Sequence, residues 1–279
     1  MSSIAYISDA KMLEFHRLQN NRKMNFWRLN NKGFTDFCQG EFIFFLSKDR
    51  RMMRNREKGI IGYGTLEGID SLSVRKMWNK YGSYNGYSSY EEFSETLNKL
   101  SDKGETPKKI SSLVVGDVVF FQGPIYLSEF DYNISRNIES YIYLEDKVTV
   151  SILKKASEIG LDVWTHPEKE NKVDLDIIRV ELFEALDTVR ALEYKKSELK
   201  AIRSLIPDRC EILKDHQDLG FEIDENRVII HAFLINDKYQ NELTGYLVLL
   251  KKQILGILDK EIVIEFNTGN DLMDEILND

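Results

Sequence analysis

Three groups of residues in this chain have the types and spacing for chemistry. The segment "KDRRMMRNREK", residues 48–58, sets Lys48, Arg50, Arg51, Arg54, Arg56 and Lys58 against only Asp49 and Glu57. Such a run suits a polyanion, because Lys and Arg neutralise phosphates and release their counterions, and it equally suits a solvated loop. The segment "GYGTLEGIDSLSVRKMWNKYGSYNGYSSYEEF", residues 62–93, crowds glycines and aromatic rings around turns, where a surface ordinarily becomes polar. Rings beside glycines can enclose a flat heterocycle, since glycine lets a ligand approach the backbone. The carboxylates Asp174, Asp176, Glu181 and Glu184 could hold Mg2+ if they converged. They suit still better a solvated helix start, where acidic groups meet the positive end of the dipole.

Other chemistries find little support. The histidines are His16, His166, His216 and His231, and none pairs with an Asn at the spacing of a His-Asn-His nuclease. Glu193 and Lys195 lie in a helical pattern, where residues two apart do not share a face. No GxxxxGK[ST] phosphate loop occurs. Cys38 and Cys210 are far apart and lack metal-ligand spacing, so neither a disulfide framework nor a zinc finger is expected. Both read as small buried apolar residues, and His231, within "VIIHAFLI", reads as a core histidine. No metal site and no cofactor is expected, with Mg2+ reserved for a nuclease reading.

The elements that must position these groups fall into two halves. A chain of 279 residues with 42% apolar content suits two domains. Residues 1–147 carry 21 Lys and Arg against 19 Asp and Glu, whereas residues 148–279 carry 17 against 27, an asymmetry that points to two modules with different partners. No apolar window reaches the roughly 20 residues of a membrane span, and the first residues lack a signal peptide's basic head and apolar run, so a cytoplasmic protein without a membrane partner is expected. In residues 1–147, strands outnumber helices: "IAYIS", "KMNFWRL", "EFIFFLS", "GIIGYGTLEGI", "SLVVGDVVFFQGPIYL" and "IESYIYLE" alternate with helical patterns near 9–19, 73–81 and 88–100. In residues 148–279, a helix near 146–158, a long helical pattern over 174–205 ended by Pro207, a strand at 227–235, a helix at 237–258, a strand at 261–266 and a terminal helix follow. The fold class is α+β: a small β-barrel with flanking helices, then a helix-rich mixed α/β domain. The acidic second half, with its amphipathic helices, suits a homodimer contact or an effector protein more than DNA.

The motifs "MNFWRL", "GFTDFCQGEFIFFL", "GIIGYGTLEGIDSLSVRKMWNKYGSYNGYSSYEEF" (residues 59–93) and "LVVGDVVFFQGPIYL", in that order, resemble the EVE-like, PUA-superfamily module at the front of EVE-HNH restriction endonucleases. The resemblance covers roughly residues 1–146. It implies a reader of modified cytosine in DNA that grips a base in an aromatic pocket. On this chain it implicates Asn25, Phe26 and Trp27 (the Asn-Phe-Trp strand), Gly62 and Gly64 (the Gly-x-Gly strand), Trp78, Gly82, Asn85 and Gly86 (the Trp helix and Asn-Gly turn), and Phe120 and Phe121 near the late aromatic strand. Trp27 or Tyr63 would supply a stacking ring, Asn25 would read a polar edge with its donor and acceptor, and Gly62 and Gly64 would admit the base. Lys48, Arg50, Arg51, Arg54 and Arg56 would hold the phosphates. The same residue types also build interiors: Val74, Met77, Trp78 and Tyr81 form one helical face, and Asn85-Gly86 suits a tight turn.

Three functions stay open on this reading. The first is a DNA-binding protein that flips a modified cytosine into an aromatic pocket, in a restriction or phage-defence setting. The second is a modification-dependent endonuclease with its catalytic residues in the second half. The third is an RNA-binding protein.

Overall fold

The computed structural model describes residues 3–29, 33–101, 107–132, 138, 140–162, 171–189, 192–213, 216–224, 226–258 and 262–278. The chain divides into two compact units, Met1–Val173 and Asp174–Asp279. His166 lies outside the described residues. In chain order the first unit holds β1 (Ser3–Ser8), α1 (Ala10–Leu18), β2 (Met24–Arg28), β3 (Phe42–Ser47), β4 (Met53–Arg54), β5 (Glu57–Lys58), β6 (Ile60–Leu72), α2 (Val74–Tyr81), α3 (Tyr90–Leu100), β7 (Ile110–Ile125), β8 (Tyr141–Leu144) and α4 (Asp146–Ile159). The expected break after residue 147 falls later, because α4 packs on β7 and Leu161 forms a bridge with Phe121.

Among the described residues six strands form one sheet in the order β2-β7-β6-β3-β1-β8. β1 and β3 run parallel and the other neighbours antiparallel. The order ends at β2 and β8, so the described pairings do not close the barrel that the sequence suggests. The fold is mixed α+β, with this six-stranded sheet in the first unit. The basic run is not a plain loop: it makes a turn of 3-10 helix at Arg50–Met52 and the β4/β5 hairpin, whose tip residues Asn55 and Arg56 both have positive φ (51° and 68°). Two consecutive residues of that kind give a two-residue turn the twist that hairpin strands need.

Helix starts follow their caps. Asp9 Oδ1 accepts hydrogen bonds from the amides of Lys11 and Met12, both at 3.0 Å, and Ser73 and Ser89 cap α2 and α3 in the same manner. The aromatics of residues 78–93 clamp α2 and α3 to the sheet: Phe93 lies 5.7 Å from Trp27, 5.9 Å from Trp78 and 5.6 Å from Tyr87, centroid to centroid. Trp78, Tyr87 and Phe93 are therefore packing material, whereas Tyr84 is exposed.

β6 and β7 share the longest pairing, interrupted by three register shifts. Its closeness rests on glycine. A Cβ at position 62 would come within 2.4 Å of the Val119 carbonyl oxygen, and one at position 64 within 2.5 Å of Val115 Cγ1 and 2.8 Å of the Gly116 carbonyl oxygen.

The second unit contains most of α5 (Lys172–Asp187), then α6 (Lys196–Leu205), β9 (Gly220–Asp224), β10 (Arg227–His231), α7 (Gln240–Ile257), β11 (Val263–Asn267) and α8 (Asp271–Asn278). The long helix expected over 174–205 is two helices, and Glu193 and Lys195 lie in the non-helical residues between them. β10 pairs antiparallel with β9 and parallel with β11, so α7 is the crossover of a β-α-β unit. Phe221, Val228, Ile230, Leu247, Leu250 and Phe266 are buried in this unit's core. No described helix is long and apolar enough to cross a membrane. The cysteines depart from expectation, since Cys38 is exposed and Cys210 half-buried.

Gly62→Ala is expected to lower the urea midpoint and cost about 2 kcal/mol, because the methyl must displace main chain of β7. A wild-type midpoint would show that the two strands do not need this approach.

Candidate functional site

One face of α1 borders an open cavity of about 520 Å3. Its walls are Lys11, Phe15, Arg17 and Leu18 from α1, Ser47, Asp49, Arg51 and Met52 from the end of β3 and the turn after it, and Phe120 to Pro124 from β7. The helix buries Met12, Leu13 and His16 against the unit's core. Phe15, half-buried, and Leu18, 57% exposed, are thus apolar residues outside the buried stripe, and they face the cavity. Ligand sites of roughly 300–1,000 Å3 with apolar walls and a few polar groups are typical of small-molecule recognition, and this cavity lies in that range.

The cations at its rim differ in freedom. Arg17 Nε donates to Asp162 Oδ2 at 2.6 Å, and its Nη1 lies 3.4 Å from Glu14 Oε2. That ties α1 to the segment after α4. Arg51 is 85% exposed and donates to both Asp49 oxygens, which holds the Asp49 carboxyl below the usual carboxylate range through the side-chain and backbone bonds from Arg51. An ion pair this exposed is worth little to stability, so Arg51 can exchange Asp49 for another anion at small cost. Lys11 is exposed on the same rim.

The residues implicated by sequence separate into different places. Phe120, Phe121 and Arg51 line the cavity; Lys48, Arg50 and Arg56 are exposed. Arg54 is engaged elsewhere: its guanidinium lies 4.2 Å over the Tyr126 ring and donates to Glu129 at 2.8 Å and Ser128 at 3.2 Å. Tyr63 is fully buried among Phe42, Phe44 and Phe121, with the Lys172 ammonium 5.1 Å from its ring centroid. Phe26 is buried between Tyr6 and Phe45, and Trp27, 9% exposed, lies against Tyr87 and Phe93. Neither Trp27 nor Tyr63 lines the cavity, and their ring neighbours are separate sets. A base stacking on either would require it to leave the interior.

Asn25 and Asn85 are likewise fully buried, as partners of one another. Asn25 Nδ2 donates to Asn85 Oδ1 at 2.9 Å, Asn85 Nδ2 donates to the Gly82 carbonyl at 2.8 Å, and Trp27 Nε1 donates to the Asn85 carbonyl at 3.1 Å. This polar node fixes the turn after α2 to β2. Gly86, at φ 86°, then presses on α1, since a Cβ there would meet Met12 Cγ at 2.4 Å and His16 Nε2 at 3.3 Å. The Asn-Gly turn therefore positions the helix that walls the cavity.

Sequence reasoning missed Lys11, Phe15 and Leu18. The signal was a helix with more apolar residues than its buried stripe needs. Asp174, Asp176, Glu181 and Glu184 do not assemble into a metal-holding group among the described residues.

No protein-family model and no curated protein matches the chain. Among solved structures, the chain is similar to the ASCH protein from Zymomonas mobilis at 15% identity, over 55% of this chain and 94% of that one, with a TM-score of 0.37. A point variant of the same protein gives 15% identity, 55% and 98% coverage and a TM-score of 0.39. A protein from Pseudomonas syringae gives 14% identity, 55% and 99% coverage and a TM-score of 0.34.

Two outcomes are expected. Asn85→Ala leaves the Asn25 amide and the Gly82 carbonyl without partners and costs about 2 kcal/mol or more; a change below experimental scatter in urea unfolding would deny the node its role. His16 has no exposed surface, and burial lowers its pKa to about 4, so the folded state keeps it neutral. The unfolded chain binds the proton near pH 6.5, so this group's contribution is intact above that pH and is lost as pH falls toward 4, about 2 kcal/mol between pH 7 and 5. His16→Gln should remove that part of the pH dependence, and an unaltered profile would assign it to other groups.

Proposed function

We propose that the first unit binds nucleic acid at the cavity beside α1. In this reading an unpaired base lies against Phe15 with its sugar-phosphate strand along Lys11 and Arg51, and Lys48 and Arg50 extend the cationic rim. The observation that supports it is the pairing of a 520 Å3 cavity carrying half-buried aromatic surface with exposed cations at its edge. Stacking on an aromatic side chain contributes roughly 1–3 kcal/mol per base, comparable with the few kcal/mol needed to take a base out of a duplex. Single-stranded or extruded bases are thus the fitting ligands, and cations supply the sequence-independent remainder. Modified cytosine in DNA, and with it a restriction or phage-defence setting, is the finer form of this proposal and rests on the sequence resemblance.

Fluorescence anisotropy with labelled oligonucleotides tests it. The panel is single-stranded DNA, duplex DNA with and without 5-methylcytosine, and single-stranded RNA. Phe15→Ala should weaken binding about tenfold, equivalent to 1.4 kcal/mol, with an unchanged thermal transition. Lys11→Ala with Arg51→Ala should flatten the salt dependence on duplex by about 2 in slope. Preference for the methylated duplex supports the finer form, and preference for RNA replaces DNA as the partner. Failure of all four oligonucleotides to bind at low salt, or wild-type affinity in both variants, rejects the site.

A further inference from the structure

We propose that Cys210, Glu222 and His231 form a binding site for a divalent cation of the zinc class in the second unit. The three offer one sulfur, one oxygen and one nitrogen, and these atoms lie within 4.8 Å of one another. That donor set matches the ligands zinc prefers.

Sheet register brings them together. Glu211 forms a bridge with Phe221, which sets Cys210 across from Glu222. His231 pairs with Gly220, two residues from Glu222, so His231 and Glu222 are diagonal neighbours on one face of the β9/β10 pair. Gly220 lets Cys210 pack close to β9: a Cβ there would meet Ile206 Cγ2 at 2.5 Å, Cys210 Cβ at 3.1 Å and its sulfur at 3.5 Å.

The hydrogen bonds show how a cation would fit. Glu222 Oε1 is met by both His231 Nε2, at 2.7 Å, and Cys210 Sγ, at 3.6 Å. Two donors thus converge on one carboxylate oxygen, in the position a cation would take between the three. Arg209 Nε holds the other oxygen at 2.8 Å, leaving Oε1 to act as a single ligand. On binding, the thiol proton passes to solvent and the sulfur-metal bond forms. The imidazole proton moves from Nε2 to Nδ1, and Nε2 becomes a ligand. A thiolate and a carboxylate then balance the two positive charges. Asn267 Nδ2 lies 3.3 Å from His231 Nδ1, and its amide, rotated by half a turn, accepts from the protonated Nδ1.

Tetrahedral zinc with its usual bond lengths needs ligand atoms about 3.3–3.8 Å apart. The Glu222–His231 contact must open and the wider spacings close, movements of about 1 Å that side-chain rotation supplies. Glu222 also borders a cavity of about 360 Å3 with Arg179 and Arg209 in its wall, which gives solvent access to its carboxylate.

The full chain, reduced and stripped with a chelator, is titrated with zinc by calorimetry and with cobalt by absorption. One equivalent of zinc should bind, and cobalt should produce a thiolate-to-metal charge-transfer band. Cys38→Ser should keep the band; Cys210→Ser should lose it and weaken zinc at least about tenfold. Glu222→Gln should weaken zinc comparably, and it serves where the cysteine variant does not fold. Absence of a stoichiometric zinc event in the wild type, a band that survives Cys210→Ser, or wild-type zinc affinity in Glu222→Gln would overturn the site.

Discussion

The close approach of β6 and β7 governs the first unit. Both strands are long, and their pairing changes register three times, so that β7 serves two purposes along its length. Its first part, with Leu113 and Val115, joins β2 and fills the core; its last part, Phe120 to Pro124, becomes one wall of the cavity. A regular ladder would continue the same facing along the strand, whereas each bulge bends and twists it. Gly62 and Gly64 make this possible by removing the side-chain atoms that would hold the backbones apart. Their conformational cost on folding is offset by the main-chain hydrogen bonds and buried apolar surface that the approach secures.

Much of this architecture was legible in sequence. Helices at 10–18, 74–81, 90–100 and 146–159 were marked by helical spacing of their residues, which is a local signal. The expected barrel closure went beyond what local pattern can show, because closure depends on which distant edges meet, and the described pairings end at β2 and β8. The break between α5 and α6 was hidden as well, since apolar spacing continued across it. The candidate site divides along the same line. An aromatic ring is the same residue type in a core and in a pocket, and only the cover on its second face separates the two. Trp27 and Tyr63 have that cover, and Phe15 has less. Likewise, the Cys210, Glu222 and His231 group depends on strand register and carries no recognisable spacing in the chain.

Charge shows a comparable difference between count and placement. The six cations of residues 48–58 suggest one basic surface, yet Arg54 is held by Glu129, Ser128 and Tyr126, and Glu57 itself accepts from Ser128. The hairpin is thereby tied to the turn after β7. Part of the run's charge therefore fixes the hairpin's orientation, leaving the exposed members displayed from a supported element. Paired side chains that order a segment contribute little Coulomb energy in water, but they restrict where the remaining charges can point.

The mixed pairing in the second unit also sets an order of events as the chain folds. Only two residues separate β9 from β10 in the chain, so their ladder closes a short loop and can form early. β11 reaches β10 only after α7 has spanned the unit, which requires closing a far longer loop before any hydrogen bond is returned. A chain in which β9 and β10 have paired ahead of β11 leaves one edge of β10 unpaired. An edge in that state offers its backbone groups to a strand of a neighbouring copy, and β11 is the element that covers it.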